Sequence, residues 1–316
     1  MEKTFTQDTQ SKLKILRSGD PKTMFGRMSP AEILDRYGPP RTLLSSSHKT
    51  EKCLAVDVLA RVLHFTPGVF CTHATLGCLA ACLGHSSGHM QMPTHSLARD
   101  RRTALYLQSP QLFLQMLTLE LTLLEHNARG LGLIPAARLN GSSDLAWELL
   151  HSDILRRFPK IRFFDYTKIP ARMNRFLEGA DWPAGYHLTF SAHAHNHREA
   201  RRVLEHGGTV AVVFWPQIPQ SFWGFPVING DEHDARFLDP AGSIVGLTAK
   251  GQARFDLSGF TVRLCPQCSP NIPGVMLQPA SALAGPSIVH QCSRCGWTLR
   301  QRRPQRDSAD AVSMAA

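Results

Sequence analysis

Apolar and polar positions alternate in a regular rhythm through the middle of the chain. Four runs, PAARLN, KIRFFDY, YHLTFS and TVAVVFW, read as strands; Ala137, Arg162, His187 and Ala211 take matching places in them at gaps of 25, 25 and 24 residues. Between the runs the apolar residues switch to helical spacing. Asp144 can cap LAWELLHSDILRRF, Pro170 opens PARMNRFLEG and Gly179 closes it, and Gly207 closes HNHREARRVLEHG. Strands alternating with helices imply βα units and a largely parallel sheet, spaced more tightly than the roughly 31 residues per unit of an eight-fold barrel.

Upstream, Ser29 and Pro30 suit the cap and first position of a short helix in SPAEILDRYG. A second helical candidate begins near Glu51 and leads into RVLHF, a first strand. From Ser96 to Gly130 the pattern predicts two helices parted by Ser109 and Pro110, the second carrying Leu112, Phe113, Met116, Leu117, Leu119, Leu123 and Leu124 and stopping at Gly130. After Trp215 the rhythm fails, and RFLDPAGSIVGL reads as an antiparallel hairpin around Asp-Pro-Ala-Gly. The predicted fold class is therefore α/β: a partial (β/α) barrel or open, mostly parallel sheet with an appended antiparallel hairpin, plus a small C-terminal zinc ribbon. Its divisions are a polar extension over 1–50, an α/β core over 51–264, the ribbon over 265–298, and a basic, disordered tail over 299–316.

Composition narrows the setting. The polar start lacks the apolar stretch of a secretion signal, and no run of about 18 apolar residues offers a membrane span, so a cytoplasmic protein is expected. Thirty-five Lys and Arg against 25 Asp and Glu leave a formal charge of +10, a balance that favours polyanions such as nucleic acid. The basic residues are scattered except in RQRRPQR near the C-terminus, which makes this segment the expected nucleic-acid contact.

Cysteine usage points to metal. In a reducing compartment structural disulfides are rare, and seven of the eight cysteines are grouped, with Cys53 apart. Cys265, Cys268, Cys292 and Cys295 form C-x2-C-x23-C-x2-C, two turns whose thiolates can complete a tetrahedral zinc site. Arg294, Arg300, Arg302, Arg303 and Arg306 adjoin it. Cys71, Cys78 and Cys82 form C-x6-C-x3-C on a loop of small residues, and three thiolates would leave one iron of a cubane cluster open to chelate S-adenosylmethionine. Zinc with His73, His85 or His89 as fourth ligand, Cys53 as a fourth thiolate, and a plain core helix holding Cys78 and Cys82 on one face are the alternatives.

The position of this loop, after a first strand and before a βα series, resembles that of the cluster loop in radical S-adenosylmethionine proteins, whose usual spacing is C-x3-C-x2-C. A closer resemblance runs through residues 50 to 264. ARLNGSSDLAWE, FFDYTKIPARM, YHLTFS, VAVVF and GDEHDARFLDPAGSIVGLTAKG, with the cysteine loop, resemble the successive motifs of the phage and plasmid "gene product 88" domain. That resemblance implies carriage on mobile elements and a cytoplasmic protein, and carries no activity with it.

Parallel α/β folds bind ligands beyond the C-terminal ends of their strands. Asn140, Ser142 and Asp144 fall there, as do Asp165, Thr167 and Lys168, and Ser191, His193 and His195. Caps and turns account for about half of these; Asn140, Asp165 and His193 are the predicted catalytic residues. Asp231, His233, Asp234, Arg236 and Asp239 suit either a hard-metal or proton-transfer site or a polar turn with an internal Arg-Asp pair. Two functions follow: an iron–sulfur, radical-type enzyme acting on a nucleotide, nucleic acid or related metabolite, or a non-catalytic zinc protein that binds nucleic acid.

Overall fold

The structure, a computed structural model, describes residues 25, 27–86, 88–179, 181–268, 277–279 and 287–302. Its main sheet is built from β1 (Leu44–Ser45), β2 (Val58–Leu63), β3 (Ile134–Arg138), β4 (Arg162–Thr167), β5 (Tyr186–Ser191), β6 (Thr209–Trp215), β7 (Ser221–Phe222), β8 (Phe225–Asn229), β9 (Ile244–Thr248) and β10 (Thr261–Arg263). The strand order is β1-β2-β3-β4-β5-β6-β9-β8-β7, with β10 also pairing β6. From β2 to β6 the strands lie side by side in chain order and all run parallel. Right-handed crossovers then send every connection to one face.

That face carries the main helices: α1 (Pro30–Tyr37), α2 (Pro93–Gln108), α3 (Pro110–Leu131), α4 (Pro170–Glu178) and α5 (His197–Glu205). Leu63, Phe163, Leu188, Phe190 and Phe214 pack there against Phe113, Leu117, Leu121 and Trp147. On the other face Val58, Ala60, Ala136 and Phe164 are covered by Cys53, Ala235 and Phe237.

The sheet is curled. Lys49 Nζ donates to the Gly230 carbonyl at 2.9 Å, and the Asp234 N–H donates to Cys53 Sγ at 3.4 Å. The chain entering β2 thus meets the chain leaving β8 across five intervening strands. At the opposite rim a Cβ on Gly77 would lie 1.8 Å from Ser258 Oγ, and one on Gly251 would lie 2.5 Å from the Ser86 carbonyl oxygen. The cysteine loop therefore bridges to the segment after β9. With β1 and β7 at opposite ends of the order, the result is a mostly parallel sheet whose ends do not pair with each other.

Several expectations need correction. The hairpin predicted over RFLDPAGSIVGL does not form: Arg236–Leu238 is a 3-10 turn, and β9 lies parallel between β6 and β8. Ile244, Val245 and Gly246 are buried, which suits an interior parallel strand. The antiparallel hairpin is instead β7–β8. Asp144 caps no helix, because its carboxylate is held by the Lys168 N–H and Arg172. Helix α3 runs past Gly130 to Leu131 and stops at Gly132, whose φ of +69° closes it. The polar extension begins to pack well before residue 50: Phe25, Ile33 and Leu43 are buried and β1 joins the sheet. Residues 1–24 and 26 lie outside the described residues.

Beyond β10, β11 (Leu277–Pro279), β12 (Ser287–Cys292) and β13 (Thr298–Arg302) form a separate antiparallel sheet. Among the described residues no helix is long and apolar enough to cross a membrane.

Candidate functional site

Two cysteine centres and a polar rim carry the chemistry. At the C-terminal centre Cys265 and Cys268 follow β10, Cys292 ends β12, and Cys295 lies in the turn before β13. The Gly296 N–H donates to the Cys292 carbonyl at 3.0 Å, and the Cys292 N–H to the Trp297 carbonyl at 2.8 Å. Gly296, at φ +72°, supplies the left-handed residue that this tight turn requires.

All four sulfurs lie within 4.8 Å of one another, with Cys265 and Cys295 3.7 Å apart and Cys268 and Cys292 3.8 Å apart. A tetrahedral zinc at about 2.3 Å from each sulfur requires edges of about 3.8 Å. The donor set and spacing therefore fit a single ion of this kind. Backbone N–H groups of Cys295 and then Arg294 point at Cys292 and lower its thiol, while burial raises Cys265 and the Cys295 thiol raises Cys268, so the four sulfurs hold their protons as a set. Arg294 and Arg300 are exposed beside the site; the Arg302 side chain, Arg303 and Arg306 lie outside the described residues.

The three-cysteine loop lies at the C-terminal end of β2. Thr75 caps the one-turn helix Leu76–Ala80 by accepting the Cys78 N–H at 3.1 Å, and the Cys71 thiol points at the Ser142 carbonyl, 3.6 Å away. A Cβ on Gly84 would meet Pro67 Cγ at 2.5 Å and Cys82 Sγ at 3.4 Å, so glycine lets the chain turn tightly behind Cys82. Burial pushes the Cys71 thiol well up, with Cys82 and Cys78 adding to it; burial and then Cys78 push Cys82 up to about 11. Cys71 and Cys82 therefore favour the protonated form unless a cation compensates them.

They do not all lie within 4.8 Å of one another. That spacing does not suit one zinc held by all three as the loop stands. His73 is exposed and hydrogen-bonded to Thr72 at 3.1 Å; the side chains of His85 and His89 lie outside the described residues. Cys53 precedes β2 while Cys71 follows it. Six residues of strand, about 20 Å, and the Cys53 bond to Asp234 N–H remove Cys53 as a fourth ligand.

Asn140 and Asp165 are brought together. Asp165 is fully buried, and its carboxylate accepts the Asn140 N–H at 2.7 Å, the Asn140 side-chain N–H at 2.9 Å and the Tyr186 hydroxyl at 2.7 Å. Asn140 Oδ1 accepts Ser143 Oγ at 2.7 Å and the Leu145 N–H at 2.9 Å. Burial raises Asp165 to about 6, while Arg172 pulls it back. Arg172 also pairs with Asp144 and Glu148, each at 3.0 Å, and its guanidinium contacts the Tyr186 hydroxyl. This network sits on the helix side of the sheet and fixes the turn after β3 to β4.

His193 stands elsewhere on the rim. Its N–H donates to Asn196 Oδ1 at 2.8 Å, and its Nδ1 accepts the His195 N–H at 3.1 Å. Burial, then Lys168, hold it down at about 4, so it is neutral at pH 7. Lys168 donates to Ser191 Oγ at 2.8 Å, lies 5.9 Å from the Phe260 ring, and is within electrostatic reach of Cys82. Lys168 is thus a rim cation that acts on both His193 and Cys82. Strand alternation marks it: Phe163, Asp165 and Thr167 share the helix face, while Phe164, Tyr166 and Lys168 share the curled interior.

Ion pairs lie beside the apolar cluster on that face. Arg138 pairs with Asp234 at 3.0 Å and lies 4.6 Å from the Tyr166 ring, and Arg236 pairs with Asp239 at 3.3 Å. Asp231 takes Lys250 at 2.8 Å. The string GDEHDARFLDP therefore forms a plug of ion pairs, including the Arg-Asp pair internal to it.

Residues 41–269 match the family described as Gene product 88. No curated protein and no solved structure matches the chain.

Proposed function

Since the chain belongs to the gene product 88 family, we propose that it is a cytoplasmic metalloprotein of a mobile element, with an iron–sulfur cluster on Cys71, Cys78 and Cys82 and zinc on Cys265, Cys268, Cys292 and Cys295. The cluster's open iron would bind S-adenosylmethionine, and the pair supplies one-electron chemistry that begins radical reactions. What supports this reading is the placing of three half-buried cysteines on one loop after the C-terminal end of the first parallel strand. The substrate class is a nucleotide, nucleic acid or related metabolite. Lys168, steadied by Ser191, would hold an anionic group of that substrate, and neutral His193 would accept or share a proton beside it. Asn140 and Asp165 keep the rim in shape from behind.

The experiment is metal and sulfide analysis after anaerobic reconstitution, with variants of each centre. On this reading Cys71→Ala loses iron and sulfide and keeps zinc, while Cys292→Ala does the reverse. A second reading, a non-catalytic zinc protein that binds nucleic acid, is supported by the 3.7 and 3.8 Å sulfur spacings and by exposed Arg294 and Arg300. It predicts binding that weakens steeply with salt by counterion release and persists in Cys71→Ala.

A further inference from the structure

Helix α3 carries two apolar stripes, and the fold uses one. Phe113, Leu117, Leu121, Leu124 and Ala128 face the core. Roughly 140° round the helix, at 100° per residue, run Leu112, Met116, Leu119 and Leu123. Met116 is half-buried, but Leu112, Leu119 and Leu123 are 46, 61 and 51 % exposed. A solvated helix face normally carries charge. Between Pro110 and Leu124 the one charged residue is Glu120, and its carboxylate is occupied by the N–H groups of Leu43 and Leu44, each at 2.7 Å. The other exposed residues there, Gln111, Gln115 and Thr122, are neutral.

Spacing and charge together say what covers this face. The stripe steps by four, three and four residues, the a/d rhythm of a helix–helix seam. It is also palindromic. Turned about a two-fold axis between Leu117 and Thr118, Leu112 meets Leu123 and Met116 meets Leu119 of an antiparallel copy, so one surface serves both partners. A formal charge of +10 makes two copies repel over most of their surface, and this neutral face is where they can approach. A polyanion finds no cation on it, and a charged protein partner finds no counter-charge. We propose that the chain forms a two-fold dimer through the outer face of α3, with the two helices antiparallel. The seam lies on the helical layer, so the cysteine rim stays open in both copies.

The test is the mass of the full chain in solution, by sedimentation velocity over a concentration series, with circular dichroism to confirm folding. The wild type is expected at twice 35.1 kDa. Leu119→Asp and Leu112→Asp, both at exposed positions, should shift it to monomer and weaken association by about a hundredfold or more. Leu131→Asp, at a 66 % exposed position outside the stripe, should leave it dimeric. A wild type that stays monomeric up to its solubility limit overturns the proposal. So does a dimer that survives Leu119→Asp, or one that Leu131→Asp disrupts equally.

Discussion

Replacing Arg172 by Met tests the network behind the cysteine rim. Arg172 is 2 % exposed and neutralises Asp144 and Glu148 at 3.0 Å each, with the Glu148 side chain fully buried. Methionine keeps much of the volume and removes the charge. Glu148 would retain Arg175 at 3.8 Å as its remaining cation, and Asp144 would retain the Lys168 N–H. Removing one partner of a buried pair typically costs about 3–5 kcal/mol, because the other charge stays desolvated. The variant should therefore lose about 3–5 kcal/mol in urea unfolding, with an unchanged m-value. The double variant Arg172→Met/Glu148→Leu removes the stranded charge and should recover part of that loss, leaving a coupling energy of about 1–3 kcal/mol. A single variant costing under about 1 kcal/mol, or a double variant whose cost is the sum of the singles, would refute the reasoning.

Other expectations follow from the same geometry. Gly84→Ala should drive its Cβ into Pro67 and push Cys82 aside, lowering iron at the loop while zinc at the C-terminal site is unchanged; metal analysis reads both. Burial holds His64 down at about 3 and His187 at about 4, so below pH 6.5 the unfolded chain takes up protons that the folded one refuses. Each histidine then costs about 2 kcal/mol of stability by pH 5. Burial raises Asp165 and Asp239 to about 6, so these carboxyls gain protons in the folded state first and return part of that loss as pH falls. Urea midpoints of a His64→Gln/His187→Gln variant should fall less than wild type between pH 6.5 and 4; an equal fall would mean both histidines are charged in the fold. Chelation should unfold the Cys265–Cys295 module and leave the α/β body intact, which far-UV circular dichroism and protease mapping would distinguish; loss of both together would contradict independent zinc folding.

The βα rhythm was legible because β3 to β6 are short and separated by helical segments, two of them stopped by Gly179 and Gly207, so period-2 and helical spacing alternate cleanly. β9 was not, since Asp-Pro-Ala-Gly is a good hairpin signal locally, while the strand after it is claimed by β6 and β8, far away in sequence. Gly130 misled for a similar reason: an exposed glycine within α3 costs little when Phe113, Leu117, Leu121, Leu124 and Ala128 hold the helix from its buried face. At the rim, residue type pointed to Asn140 and Asp165, whereas strand alternation would have turned Asp165 to the helices and chosen Lys168. The cysteine groups needed no fold to be found, but separating Cys53 from the rim needed the direction of β2.

Iron, sulfide and zinc content of anaerobically reconstituted wild type and of the Cys71→Ala/Cys78→Ala/Cys82→Ala variant, read with their absorbance and electron paramagnetic resonance spectra, tests the central claim. The account predicts a brown wild type whose reduced-cluster resonance shifts on adding S-adenosylmethionine, and a colourless variant that keeps its zinc. A wild type that takes up zinc alone under the same treatment, or a triple variant that still assembles the cluster, would contradict it.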